Sequence, residues 1–135
     1  MNWKKFFIAF VVVLVLTAVG SFVVHAILLN PDYQQNQHLL RTQEDANAHF
    51  PYMLLNFLTF SVAFTWIYAQ GVEDKPWLGQ GIRFGLAVWL LKSVSGFLTY
   101  YAVQPWPAST VHRQIIFELP WMLALGLAAA ALYRK

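Results

Sequence analysis

Residues 79–101 read GQGIRFGLAVWLLKSVSGFLTYY. This largely apolar stretch is long enough to cross a hydrocarbon core of about 30 Å as an α-helix. Lys92 lies near its middle, where a charged side chain costs roughly 2.5–3.5 kcal/mol on insertion scales. Such a lysine persists when it reaches an interface, meets a partner or faces a wet cavity. The stretch therefore predicts a membrane span with a polar site near Lys92.

Three further apolar blocks of similar length occur along the 135-residue chain: Phe6–Leu29, Phe50–Ala69 and Val111–Tyr133. Backbone groups in lipid must be paired within the protein, so only helices or a closed barrel can span a membrane. The blocks are too long for barrel strands and do not alternate as such strands do. We therefore predict an all-α fold in which residues 1–135 form one integral membrane domain, a four-helix transmembrane bundle.

The composition excludes several functional classes. The chain is 59% hydrophobic and only 11% charged, whereas about 25% of the residues in a soluble domain are charged. The net charge of +3 comes from dispersed basic residues at helix ends, which does not indicate nucleic-acid binding. The absence of cysteine excludes thiol exchange and thiolate metal sites. We expect no cofactor.

The distribution of basic residues predicts an orientation. Apart from an outer loop at residues 30–48, the connections are short, which favours an up-down-up-down arrangement. Lys and Arg in short loops tend to stay in the cytoplasm. Only Arg41 and Arg113 fall on the outer side of this arrangement. The basic residues on the other side are Lys4, Lys5, Lys75, Arg83, Arg134 and Lys135. We therefore predict that both termini are cytoplasmic.

Local signals predict where some helices begin and bend. Asn30 and Pro31 are suited to the N-cap and first position of a short helix in the outer loop. Ser109 or Thr110 can cap the fourth helix. Pro120 should bend that helix and leave the carbonyl of Ile116, four residues earlier, without its usual donor.

Polar residues of the four blocks are expected to converge. Residues four apart share a helix face, and a rise of about 1.5 Å per residue puts the ionisable or amide side chain of each block in the outer half of the bundle. These four residues are His25, Asn56, Lys92 and Glu118. Supporting polar residues on the same predicted faces are Ser21, Ser95, Thr99 and Gln114. We predict that this set forms a structural or ligand-binding polar cluster.

The simplest hypothesis for the cluster is an ion pair between Lys92 and Glu118. The pair is interpreted either as an internal staple or as part of a site for an anionic or polar small molecule; a third alternative is that the side chains are unrelated and snorkel separately. A lone membrane histidine such as His25 is more often a packing residue than a metal or haem ligand. The donors of the outer loop have no recognisable ligand spacing, so we predict no metal site.

Three short motifs resemble a family of small four-span bacterial membrane proteins that have no assigned activity. The motifs are His25 followed by Asn30-Pro31-Asp32-Tyr33, then Gly81-Ile82-Arg83-Phe84-Gly85, then Tyr101-Ala102 with Pro105 and Pro107. The resemblance covers nearly the whole chain and implies the bacterial cytoplasmic (inner) membrane. Small multidrug transporters also have four spans, but their essential acid lies in the first helix, where this chain has none.

Three functions compete. The first is a non-enzymatic accessory subunit or a bundle that binds a small molecule or lipid. The second is a small oligomeric proton-coupled transporter that uses Lys92 and Glu118. The third is a membrane-embedded enzyme with His25 or Glu118 as general base, which no nucleophile–base pair supports. Membrane lipids are the expected partners, and a second copy, another membrane protein and a small polar or anionic ligand remain open.

Overall fold

The computed structural model describes residues 1–134, which form helices joined by short turns, with no β-strand among them. Four helices are long and apolar enough to cross a membrane, and we number them first to fourth. They are Trp3–Leu28, Gln43–Gly71, Trp77–Val103 and Ala108–Leu132. A short helix, Asn30–Gln35, and a 3-10 turn, Gln37–Leu39, connect the first two. The prediction of an all-helical chain with four helices of membrane length is confirmed.

The two ends of the described chain lie together. The backbone nitrogen of Asn2 donates to the hydroxyl of Tyr133 at 2.8 Å. The amine of Lys5 donates to the backbone carbonyl of Arg134 at 2.7 Å. We call this the termini end of the bundle. The opposite end, which carries the short helix Asn30–Gln35, is the loop end.

The second long helix begins earlier than predicted. It starts at Gln43 rather than Phe50, so the predicted outer loop 30–48 is non-helical only in small parts. Thr42 caps the helix by accepting from the backbone nitrogen of Asp45 at 3.3 Å. Acidic residues in the first turn are favoured by the positive end of the helix dipole. This N-terminal chemistry extends the helix beyond its apolar block.

The predicted caps of two other helices were wrong. Asn30 is the first residue of the short helix rather than its cap. The fourth helix begins at Ala108, and Thr110 does not cap it because its hydroxyl donates to Asp32 Oδ1 at 3.0 Å. Arg113 also binds both carboxylate oxygens of Asp32, at 2.8 and 2.9 Å. These bonds fasten the short helix to the start of the fourth long helix.

Glycines bring the third and fourth long helices into close contact. A Cβ atom at Gly85 would lie 2.6 Å from the carbonyl oxygen of Met122. A Cβ atom at Gly126 would overlap the carbonyl oxygen of Gly81 and lie 2.9 Å from the Cα of Gly85. Such small-residue contacts are how membrane helices approach closely without a hydrophobic driving force. The glycine seam, Gly81, Gly85 and Gly126, therefore holds the termini-end half of this helix pair.

Two long helices each contain a π-helical turn, which the sequence pattern did not indicate. The turn Phe22–Leu28 carries His25, and the turn Trp89–Val94 carries Lys92. A π turn accommodates an extra residue, so side chains after it are rotated relative to an unbroken α-helix. Such turns are rare and occur frequently at functional sites.

Pro120 lies inside the fourth long helix, as the sequence indicates. The proline was expected to free the carbonyl of Ile116. The third helix supplies a donor one residue away, because Trp89 Nε1 donates to the carbonyl of Ile115 at 2.8 Å. The fourth helix is thus hydrogen-bonded, a few residues before Pro120, to the π turn of the third.

The glycine seam makes a prediction that compares two glycines of the same helix. Gly85→Ala should lower the free energy of unfolding, because overpacking typically costs about 1–3 kcal/mol. Gly79→Ala is the matched control, since a Cβ there has nothing within 4 Å. Alanine should leave that variant as stable as the parent or slightly more stable. Thermal unfolding in detergent measures both; equal midpoints for the two variants would contradict the seam.

Candidate functional site

The carboxylate of Glu118 is the centre of the polar cluster. Its side chain, on the fourth long helix, is only 1% exposed. His25 Nε2 lies 3.0 Å from Oε1, and Lys92 Nζ lies 3.2 Å from Oε2. The hydroxyl of Ser93 also donates to Oε2. Hydrogen bonds to an ionised acceptor are stronger than neutral ones, so three donors from two other helices compensate this buried charge.

Lys92 forms the predicted pair with Glu118 but is not sealed inside it. Its side chain remains 32% exposed. Its amine lies 5.6 Å from the centre of the Phe60 ring and 5.0 Å from that of Trp121. Ring faces attract a cation at this range. The amine therefore has one carboxylate partner, two aromatic neighbours and a free side.

A chain of hydrogen bonds leads from Glu118 towards the loop end. His25 Nδ1 lies 2.7 Å from the hydroxyl of Tyr33, which accepts from Gln114 Nε2 at 3.2 Å. If His25 Nε2 carries the proton donated to Glu118, Nδ1 accepts from the Tyr33 hydroxyl. Every member then has a consistent donor or acceptor role. The two ring nitrogens of His25 thus each have a hydrogen-bond partner, and Nε2 is the one that donates to Glu118.

The environment of Tyr33 keeps its hydroxyl protonated. Burial, helped by the negative charges of Glu118 and Asp32 and opposed by the hydrogen bond from Gln114, raises its pKa from 10.0 to about 12. The ring packs edge-on against Trp106, with centroids 6.0 Å apart. Tyr33 is therefore a neutral bridge between the short helix and the buried cluster.

A cavity of about 350 Å³ opens beside the cluster, between all four long helices. This volume lies within the range of about 300–1,000 Å³ that is usual for ligand sites. Its polar lining consists of Thr17, Ser21, His25, Asn56, Lys92 and Glu118. Its apolar and aromatic lining consists of Met53, Phe57, Phe60, Gly96, Phe97, Tyr100 and Trp121. We call this space the central cavity.

A second, wider cavity of about 870 Å³ adjoins the central cavity. Three residues line both: Met53, Asn56 and Tyr100. Arg41 and His49 line the part nearer the loop end, where each side chain pairs with Asp45, at 2.8 and 3.2 Å. The two cavities thus share part of their lining, and the wider one lies on the side nearer the loop end.

The structure brings most of the predicted residues to this cavity. His25, Lys92 and Glu118 are in direct contact, whereas Asn56 lines the cavity without a side-chain hydrogen bond to any residue of 1–134. Ser21 also lines it, and Gln114 takes part through Tyr33.

Two predicted supporting residues lie elsewhere. Ser95 and Thr99 are exposed, and the Thr99 hydroxyl donates to the carbonyl of Ser95 at 3.0 Å. Ser93 and Tyr33 contact the cluster although they were not predicted. Ser93 follows Lys92 directly, but α-helical spacing put it on another face.

In the part of the chain that the structure describes, no three His, Asp or Glu side chains come together as a metal site. Comparisons with models of protein families, with curated proteins and with solved structures find no match to this chain. Its function is therefore inferred from the geometry of the site.

The three-donor arrangement predicts how Lys92 and Glu118 variants behave. Removing one partner of a buried pair typically costs about 3–5 kcal/mol. We expect Lys92→Met to cost less, because His25 and Ser93 still donate to Glu118. Glu118→Gln should leave Lys92 without its carboxylate, and the double variant should recover much of either loss. Folded yield and unfolding midpoints, with exposed Thr99→Ala as control, measure this; additive losses would contradict direct coupling.

The raised pKa of Tyr33 predicts that the free energy of unfolding falls at high pH. The pKa of Tyr33 is about 12 in the folded protein and about 10 in the unfolded chain. The stabilisation that this difference gives the fold is complete below about pH 10, and it is lost as the pH rises through the pKa of the folded protein. The difference in unfolding free energy between the parent and Tyr33→Phe should therefore be constant up to about pH 10 and shrink towards pH 12. Unfolding at a series of pH values tests it. A difference that already falls near neutral pH would contradict it.

Proposed function

We propose that this protein is a non-enzymatic membrane protein that binds a small amphiphile in its central cavity. One observation carries the proposal: Lys92 pairs with Glu118 yet remains one-third exposed beside a cavity, instead of lying in a closed, dry contact. A staple without a ligand needs no such space. A charged group kept at a cavity inside a membrane bundle is by default a functional-site hypothesis.

The charge and the free hydrogen-bond donors of the central cavity favour a ligand whose head group is anionic or accepts hydrogen bonds. Glu118 already accepts from three donors and offers a ligand little. Lys92 has three N–H donors, of which Glu118 takes one. The amide of Asn56 has no partner within residues 1–134 and lines the same space. A cationic head group would meet Lys92 without a free carboxylate to compensate it.

The walls favour an apolar body on the ligand. Phe57, Phe97 and Trp121 line the central cavity, and apolar walls with a few fixed polar groups are usual in small-molecule sites. The second and third long helices meet near the termini end, where Phe84 packs on Phe64 and Tyr68 at centroid distances of 4.7 and 5.3 Å. Nearer the loop end the cavity lies between these helices, which supports access for amphiphiles already in the membrane.

A proton-coupled transporter is the second candidate. The hydrogen-bonded series Tyr33, His25 and Glu118 supports it, because a hydroxyl and an imidazole in sequence can pass a proton to the buried acid. A transporter moves its substrate across the membrane, whereas a protein that only binds the substrate does not. Uptake into vesicles driven by a pH gradient, and absent in Glu118→Gln, separates it from the first candidate.

We also propose that the protein resides in the bacterial inner membrane, with the termini end in the cytoplasm. Lys4, Lys5, Lys75, Arg83 and Arg134 support this orientation. At the loop end, Arg41 and Arg113 are paired with Asp45 and Asp32. Membrane lipids are the partners that this proposal requires, and a second copy or another membrane protein is not needed for it.

Three amphiphiles with the same chain test the ligand class. In phosphatidylcholine nanodiscs, decanoate should raise the unfolding midpoint more than decanol or decyltrimethylammonium does. Lys92→Met should abolish the preference for decanoate, whereas Lys4→Met, the same substitution on an exposed lysine, should retain it.

Asn56→Leu provides a second test if Lys92→Met folds poorly, because Asn56 makes no hydrogen bond with Glu118. This variant should also weaken the response to decanoate, since it removes a free donor of the cavity. Equal responses of the parent to all three amphiphiles would overturn the proposal and favour the staple.

A further inference from the structure

We propose a second binding site, at the termini end, for the phosphate group of an anionic phospholipid. A cavity of about 420 Å³ lies there between the second and third long helices. Its polar lining consists of Tyr68, Glu73, Lys75, Gln80 and Arg83. It shares no lining residue with the central cavity, so this inference does not depend on the function proposed above. We call it the basal cavity.

One wall of the basal cavity is a loop held in place by a buried glutamine. Gln80 Oε1 accepts from the backbone nitrogen of Glu73 at 2.9 Å. Its Nε2 donates to the carbonyls of Glu73 and Lys75, at 3.0 and 2.8 Å. Gln80 is buried and belongs to the third helix, so these three bonds fix the connection to that helix. The hydrogen bond from Gln80 therefore fixes the backbone of Lys75 beside the cavity.

Arg83 supplies the group best suited to a phosphate. Its side chain is exposed and has neither an ion pair nor a hydrogen bond with any residue of 1–134. The planar guanidinium donates two parallel hydrogen bonds to carboxylate or phosphate oxygens. Lys75 is paired with Glu73, which offsets the one carboxylate that residues 1–134 contribute to the lining. Arg83 thus leaves an uncompensated positive charge at the cavity.

Tyr68 is a second, independent indication of a missing partner. The residue is only 4% exposed, and its hydroxyl has no hydrogen-bond partner within residues 1–134. A buried polar group left unsatisfied costs about 1–3 kcal/mol, so native structures usually pair it. Tyr68 lines the cavity that Arg83 also lines. A phosphate oxygen bound by Arg83 is an acceptor of the kind that this hydroxyl lacks.

The position of the cavity favours a lipid over free phosphate. It lies where the second long helix ends and where the third begins with Trp77. Tryptophan is enriched at the head-group level of a membrane. Ile67 and Phe84 add apolar lining, and Trp66 and Ile67 are exposed along the second helix, where an acyl chain would run. The nearby Lys4, Lys5 and Arg134 attract anionic lipid to this end.

Lipid retention tests the proposal. Native mass spectrometry of the purified protein with phosphatidylglycerol, or with phosphatidylcholine of the same chains, should show preferred retention of phosphatidylglycerol. Arg83→Gln should weaken that binding roughly tenfold, through loss of a charge-assisted contact. Lys4→Gln, with the same loss of charge at the same end, should weaken it far less, because Lys4 does not line the basal cavity. Equal binding of phosphatidylglycerol by Arg83→Gln and the parent would overturn the site.

Tyr68→Phe separates lipid binding from a structural role of the Tyr68 hydroxyl. Because the hydroxyl has no protein partner, this variant should unfold at the parent's temperature or higher without lipid, yet gain less stability from phosphatidylglycerol. Inorganic phosphate and glycerol phosphate are added in parallel, and stabilisation by either equal to that by phosphatidylglycerol would overturn the assignment to a lipid. Lys92→Met should keep the lipid response, so failure of the central cavity is distinguishable from failure of this site.

Discussion

A carboxylate buried among four apolar helices has to be compensated where it lies, and the bundle is arranged around this need. Glu118 accepts from His25 of the first long helix and from Lys92 and Ser93 of the third. In a low-dielectric interior an uncompensated charge costs more than any single packing contact returns. The three donors therefore fix the relative positions of three helices at one level. The short helix joins them through Tyr33 and is fastened in turn by Asp32 and Arg113.

Different kinds of interaction hold the two halves of the bundle together. Towards the termini end, Gly85 and Gly126 let the backbones of the third and fourth helices touch, and dispersion forces hold that seam. Towards the loop end, polar bonds connect side chains across a wider gap. The cavity exists there because hydrogen bonds between long side chains do not require close backbones. The loop-end half, where the backbones lie further apart, is thus the half that contains the polar cluster. Lys92 stabilises the fold there and is also the group that we propose to bind the ligand.

The positions of Ser93, Ser95 and Thr99 on the third long helix have one geometric cause. Lys92, Ser95 and Thr99 share a face on a regular α-helix, but the π turn Trp89–Val94 breaks that register. Ser93 consequently meets Glu118, while Ser95 and Thr99 face outwards. Tyr33 escaped prediction for a different reason, because it reaches His25 only after the chain has turned into the short helix. Backbone irregularities of this kind arise from contacts between helices and leave no periodic trace in the residues that adopt them.

The sequence alone determined that the chain is helical, that four helices are long and apolar enough to span a membrane, and that Lys92 and Glu118 lie at a common depth. These properties follow from hydrophobic length and from the constant rise of a helix, both of which are local. Only the tertiary structure decided that the pair lies beside an open cavity and that Ser93 and Tyr33 join the predicted His25 around it. It also decided that a separate basal cavity contains Arg83 and an unpaired Tyr68 hydroxyl. Cavities are the space that helices leave between them, and that space depends on how side chains from distant positions meet.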